Sequence, residues 1–154
     1  MTLHIDGVKL KPLVKIEDDR GKLLHMLREN SDEFKRFGEI YFSFTKSNFT
    51  KGWYRHKKNT LNIAVIFGVS KFVLFDARQS SFTYKNICEI KLSLENYSLL
   101  TIPPMVWYSF KNIGEKEIII ANCTPFVHNE IEREKLPINT KRIPYNWDLI
   151  EKGL

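Results

Sequence analysis

The sequence predicts an all-β sandwich or barrel built as one domain over residues 1–154. Three observations carry this prediction. About nine short runs rich in β-branched and aromatic residues recur at regular spacing. Glycine- and proline-centred turns separate them. Helical spacing shows in one short segment, residues 31–37. A chain of 154 residues buries a single core of ordinary size.

Residues 8–16 read as the first strand; Pro12 interrupts it, which places it at a sheet edge or a bend. Asp18-Asp19-Arg20-Gly21 is a turn, and 22–28 is a strand without clean alternation. Ser31 or Asp32 caps one or two helical turns that bring Phe34 and Phe37 to one side. After Gly38, residues 39–45 are a strand of Ile, Tyr and Phe. Strands over 52–56, 61–67 and 71–76 follow, the last two turned at Gly68. Residues 80–84 are a polar turn, and 87–93 alternate with period two. A strand over 98–102 stops at Pro103-Pro104, and another resumes at 106–110. Gly114 turns the chain into a buried strand that ends at Cys123. Beyond Thr124, Pro125, Pro137 and Pro144 punctuate an irregular tail ending in Tyr145-Asn146-Trp147-Asp148.

Apolar residues make up 43% and charged residues 27%, the balance of a soluble globular protein. No apolar run nears the roughly 20 residues of a membrane span, and the N-terminal segment lacks a signal-peptide core. Cys88 and Cys123 fall in predicted strands and read as reduced core thiols of a cytoplasmic protein. The net charge of +6 is spread along the chain, with no block of like charge and no recognition-helix pattern. It suits an anionic small molecule or a solvated surface better than a nucleic acid.

Residues 50–78 hold the densest chemistry. Lys51, Trp53, Tyr54, Arg55, His56, Lys57 and Lys58 run into two apolar strands. Tyr54 and His56 are two apart and share a strand face. By the same alternation, Trp53 and Trp107 point away from the side that Tyr54 and Tyr108 occupy. In residues 50–62 His56 is the one imidazole and no carboxylate accompanies it, so no metal site is expected.

Three motifs occur in order: Asp19-Arg20-Gly21; Lys51-Gly52-Trp53-Tyr54-Arg55-His56 with Gly68 and Phe75-Asp76-Ala77-Arg78; and Ile102-Pro103-Pro104-Met105-Val106-Trp107-Tyr108-Ser109-Phe110. Together they resemble the dTDP-4-dehydrorhamnose 3,5-epimerase family. The likeness is greatest to its short branch in surface-polysaccharide and spore-coat sugar pathways, which ends in a segment like Pro144-Tyr145-Asn146-Trp147. The resemblance implies a cupin-like double-stranded β-helix, or jelly roll, with an irregular C-terminal tail. It implies a homodimer that exchanges an N-terminal segment, no metal, no cofactor, and a nucleoside-diphosphate 4-keto sugar as ligand. The C4 ketone acidifies the hydrogens on C3 and C5. A base removes one, a cation steadies the enolate, and an acid returns a proton on the other face.

Carried onto this chain, the resemblance makes Arg20 and Lys51 contacts for the diphosphate. The family histidine base falls at Tyr54, leaving His56 to take that role. The enolate-stabilising lysine falls at Leu61, and Lys57 or Lys58 would have to replace it; Asn62 is expected to line the barrel as a donor. The family tyrosine falls near Ala121, with Asn122 or Tyr108 as substitutes; a second family histidine is Tyr108. The expected catalytic set is therefore His56, Tyr54 and Tyr108, and the expected substrate-binding set Arg20, Lys51, Asn62 and Asn122. Two other activities fit the same pattern. One is a sugar-nucleotide 3,4-ketoisomerase, whose proline segment Pro104-Met105-Val106-Trp107 resembles. The other is a cupin that binds a sugar nucleotide without turning it over.

Overall fold

A computed structural model describes residues 4–152. Two five-stranded antiparallel sheets face each other as a cupin-like jelly roll. The first has the order β1 (Lys9–Pro12), β9 (Ser98–Ile102), β6 (Leu61–Phe67), β11 (Ile118–Thr124), β4 (Glu39–Thr45). The second has the order β12 (Arg133–Lys135), β5 (Thr50–His56), β10 (Val106–Asn112), β7 (Val69–Asp76), β8 (Ile87–Ser93). A separate hairpin pairs β2 (Lys15–Asp18) with β3 (Gly21–Leu24).

Strand alternation builds the core. Leu61, Ile63, Val65, Leu100, Ile102, Ile118 and Ile120 from the first sheet meet Phe72, Leu74, Ile90, Leu92, Val106 and Phe110 from the second. Period two then sends the intervening residues of the second sheet outward. There Trp53, Val73, Phe75 and Trp107 form an outer cluster that Ile143 and Trp147 of the tail close. The tail is thus held by apolar burial despite its lack of regular structure.

Four segments differ from their sequence expectation. The first strand splits into β1 and β2, because Pro12, with no N–H to donate, ends β1. The strand expected over 22–28 keeps only β3. Residues 31–37 form turns and no helix: Ser31 Oγ accepts the Arg28 N–H at 3.1 Å, and the Phe34 N–H reaches only back to Ser31. In the tail, β12 is a strand and residues Trp147–Lys152 form a short 3₁₀ helix. The run Arg133-Glu134-Lys135 is wholly charged and offers no apolar period to read. It pairs through backbone bonds to β5, and Arg55 joins Glu134 at 2.7 Å.

Candidate active site

Between the sheets lies a cavity of about 260 Å³. The first sheet supplies Tyr41 and Ser43 from β4 and Asn122 from β11. The facing sheet supplies Lys51 and Tyr54 from β5, Tyr108 from β10 and Arg133 from β12. Ile63, Phe72, Phe110 and Ile120 give it an apolar lining. A second hollow of about 280 Å³ opens among tail residues from Ile138 to Asp148. Its carboxylate, Asp148, shares that lining with the Tyr145 phenol, whose hydroxyl already donates to Glu89 at 2.6 Å, whereas the space between the sheets gathers several polar and cationic side chains.

Tyr108 and Tyr54 face one another in register across β10 and β5, with ring centroids 5.7 Å apart. His56 does not line the cavity. It is 6% exposed and sits behind Tyr108, its Nε2 3.4 Å from the phenolic oxygen. On its other side Nδ1 lies 2.6 Å from Glu132 Oε2. Glu132 is fixed in turn, since Oε1 accepts the backbone N–H groups of Lys58 and Asn59, each at 2.9 Å. With Nδ1–H donating to the carboxylate, Nε2 is left with a lone pair for the Tyr108 hydroxyl.

The electrostatics agree with that assignment. Burial lowers the His56 pKa, and Glu132 offsets this in part, so the resting ring is neutral. Burial opposes ionisation of Glu132, but the amides of Asn59 and Lys58, with His56, outweigh it and hold the carboxyl below its usual range. Burial pushes the Tyr108 phenol well above its ordinary value. The resting row is therefore phenol, neutral imidazole, carboxylate.

Two cations border the cavity. Arg133 lies 5.3 Å over the Tyr54 ring, and its buried Nε has no hydrogen-bond partner among the described residues. Lys51 Nζ donates to Ser43 Oγ at 3.1 Å and to the Phe44 carbonyl at 2.7 Å, bridging the two sheets. Asn122 Nδ2 donates to the Tyr41 hydroxyl at 2.6 Å, while its buried Oδ1 has no partner among the described residues.

The structure thus brings Tyr54, Tyr108, Lys51 and Asn122 together around one space, with His56 behind it. Two expected residues lie elsewhere. Asn62 is not a barrel-lining donor: it accepts from Thr101 at 2.8 Å and faces the Glu33 carbonyl on the far side of β6. Leu61 and Ile63 take the inward positions on that strand, so alternation turns Asn62 out. Arg20 sits on the β2–β3 hairpin, its side chain 90% exposed and paired with Asp18 at 2.6 Å. Neither Lys57 nor Lys58 lines the cavity. Among the described residues no three His, Cys, Asp or Glu side chains are grouped to hold a metal ion.

Sequence reasoning missed Tyr41, Glu132 and Arg133. For Tyr41 the signal was present: it alternates with the outward Ile40 and Phe42, so it faces in. For Glu132 and Arg133 none was, because β12 reaches β5 from a point 76 residues along the chain.

Comparison with known proteins places the chain. It is 39% identical to a dTDP sugar isomerase from Desulfovibrio desulfuricans whose crystal structure superposes with a TM-score of 0.93, covering 96% of this chain and 95% of that one. It is 28% identical to the spore coat polysaccharide biosynthesis protein SpsL of Bacillus subtilis, covering 94% of this chain and 97% of the relative. It is 26% identical to the protein named Probable low-salt glycan biosynthesis epimerase Agl13, of Haloferax volcanii, covering 94% and 96%. A family model described as dTDP-4-dehydrorhamnose 3,5-epimerase matches residues 2–153. This chain, a jelly roll with a polar cavity between its sheets and a family match along nearly its full length, belongs to the dTDP-4-dehydrorhamnose 3,5-epimerase family.

Proposed function

We propose that the protein epimerises a nucleoside-diphosphate 4-keto-deoxy sugar at C3, C5 or both, in the biosynthesis of a surface-polysaccharide sugar. The observation that carries this is the row of Tyr108, His56 and Glu132, which ends with a phenol on the cavity wall. A C–H bond beside the C4 ketone breaks and its electron pair forms the enolate. The proton passes to the Tyr108 oxygen as the phenolic proton passes to His56 Nε2. The imidazolium so formed faces the Glu132 carboxylate, as in other base–orienter pairs. Moving both protons together avoids a free phenolate, which the buried Tyr108 disfavours. Arg133 is the cation for the enolate oxygen, the part that Leu61 cannot play. Tyr54, beside Tyr108, contacts the sugar, and Lys51 at the β4–β5 bridge takes the diphosphate.

The same reading makes the protein a homodimer. A two-stranded hairpin is marginal alone, yet β2–β3 and the residues beside it expose Val14, Ile16 and Leu23. Strand β4 is the open edge of its sheet and exposes Ile40, Phe42 and Phe44. Seating the hairpin of one copy on β4 of another covers both, and carries Arg20 toward the diphosphate in that copy's cavity. The free, buried Cys88 and Cys123 suit a cytoplasmic reaction.

The test is a nuclear magnetic resonance assay of the protein with a thymidine diphosphate 4-keto-6-deoxy sugar. Inversion at C3 or C5 is expected. A carbonyl moved from C4 to C3 would make it a ketoisomerase, and tight binding with no change in the sugar would make it a binding protein.

A further inference from the structure

We propose that Tyr41, braced by Asn122, is a catalytic residue that delivers a proton to the face of the sugar opposite Tyr108, so that the reaction inverts a centre and does not merely exchange its hydrogen. This rests on the epimerase reading. A single acid–base group returns a proton to the face from which it came, and inversion needs a second group on the other side. Tyr108 stands on the wall made by β10, in one sheet. Tyr41 stands on β4, in the facing sheet, and lines the same cavity. A sugar ring between the sheets presents one face to each.

The local geometry fits a donor. Asn122 is the register partner of Tyr41 on β11 and directs its amide N–H at the phenolic oxygen. The hydroxyl thus serves as acceptor there, and among the described residues no group accepts its own proton. That proton is available to a ligand. Asn122 is 3% exposed, and its Oδ1, which has no partner among the described residues, is a buried acceptor that a sugar hydroxyl would satisfy. Tyr41 is 39% exposed against 6% for Tyr108, so water reaches it for reprotonation. Burial of its ring also raises its pKa, which keeps the phenol protonated at neutral pH.

The step balances. The Tyr41 O–H bond breaks and a C–H bond forms from the enolate electron pair on the face away from Tyr108. The resulting phenolate accepts the Asn122 N–H and takes a proton from water at the exposed mouth. The His56 imidazolium returns its proton through Tyr108 to solvent, restoring the starting row.

Tyr41→Phe tests this with the same thymidine diphosphate 4-keto-6-deoxy sugar in deuterium oxide. Deuterium is followed separately in the unreacted and the inverted sugar. Wild-type protein should yield deuterated inverted sugar. The variant should still place deuterium in sugar of the starting configuration, while inversion slows by about 100-fold or more. Unchanged binding of thymidine diphosphate reports that the variant is folded. Should it fail to fold, Asn122→Leu leaves the Tyr41 ring in place and should slow inversion more than exchange. Inversion by Tyr41→Phe at the wild-type rate, or equal loss of exchange and inversion in a variant that binds, overturns the proposal. Wild-type protein that exchanges but does not invert overturns it while leaving proton abstraction standing. No exchange by wild-type protein removes the epimerase reading itself.

Discussion

Glu132 governs what His56 can do. It raises the His56 pKa against a larger drop caused by burial. The relay needs neutral His56, so activity should fall as the pH drops through a value below the ordinary histidine pKa of about 6.5. Glu132→Gln removes the group that raises the pKa. The acid limb of kcat/KM should therefore move to still lower pH, while kcat falls by about 10²- to 10⁴-fold because the imidazolium loses its counter-ion. A limb that stays in place would show that His56 is not the titrating group. Tyr108→Phe should lower kcat by a similar factor with KM little changed, since it removes one oxygen and keeps the ring in the core. At this scale alternation was informative. It set Tyr54 and Tyr108 against Trp53 and Trp107, and the cavity and the outer cluster divide them in the same way. The expectation that Asn62 lines the barrel from the face opposite Leu61 fails because Leu61 is the residue that faces in.

Strands β5 and β12 position the site, and their supports are remote from it. Gly52 adopts φ +128°, and a Cβ there would lie 2.7 Å from Ser109 Cα. Gly52→Ala should cost about 1–3 kcal/mol in a denaturant titration and displace Tyr54, two residues away, against β10. Strand β12 is short and charged, and the tail behind it is anchored by Ile143 and Trp147 in the outer cluster. Trp147→Ala should cost about 3 kcal/mol. Hydrogen exchange should show lost protection at β12, and activity should fall with it, although Trp147 does not line the cavity. Protection of β12 equal to that of wild type would show that the tail does not brace the strand. Runs such as 63–67 and 118–121 were legible because a buried strand carries an unbroken apolar run. The outer aromatic cluster was legible only as aromatic content, since its lid comes from a segment without periodicity.

For the whole molecule, regular spacing of short strands announced an all-β fold, and the motifs narrowed it to a jelly roll. The site was less legible, because its hydrogen-bonded row joins residues 56, 108 and 132 through tertiary contact alone. Assembly is the matching question at this scale. Val14→Asp with Leu23→Asp should convert a dimer to a folded monomer in light scattering, with unchanged circular dichroism. If Arg20 serves a second copy, sugar-nucleotide affinity should fall as well. A wild-type monomer at micromolar concentration would contradict the exchange of the hairpin.

Epimerisation by this site requires a sugar bound between the two sheets. A crystal structure with a non-reactive thymidine diphosphate sugar measures this directly. The sugar is predicted to lie between the sheets, with C3 or C5 about 3–3.5 Å from the Tyr108 oxygen, Tyr41 at its other face, and Arg133 beside O4. A sugar held outside the two sheets, with Tyr108 and Tyr41 both out of its reach, would contradict it.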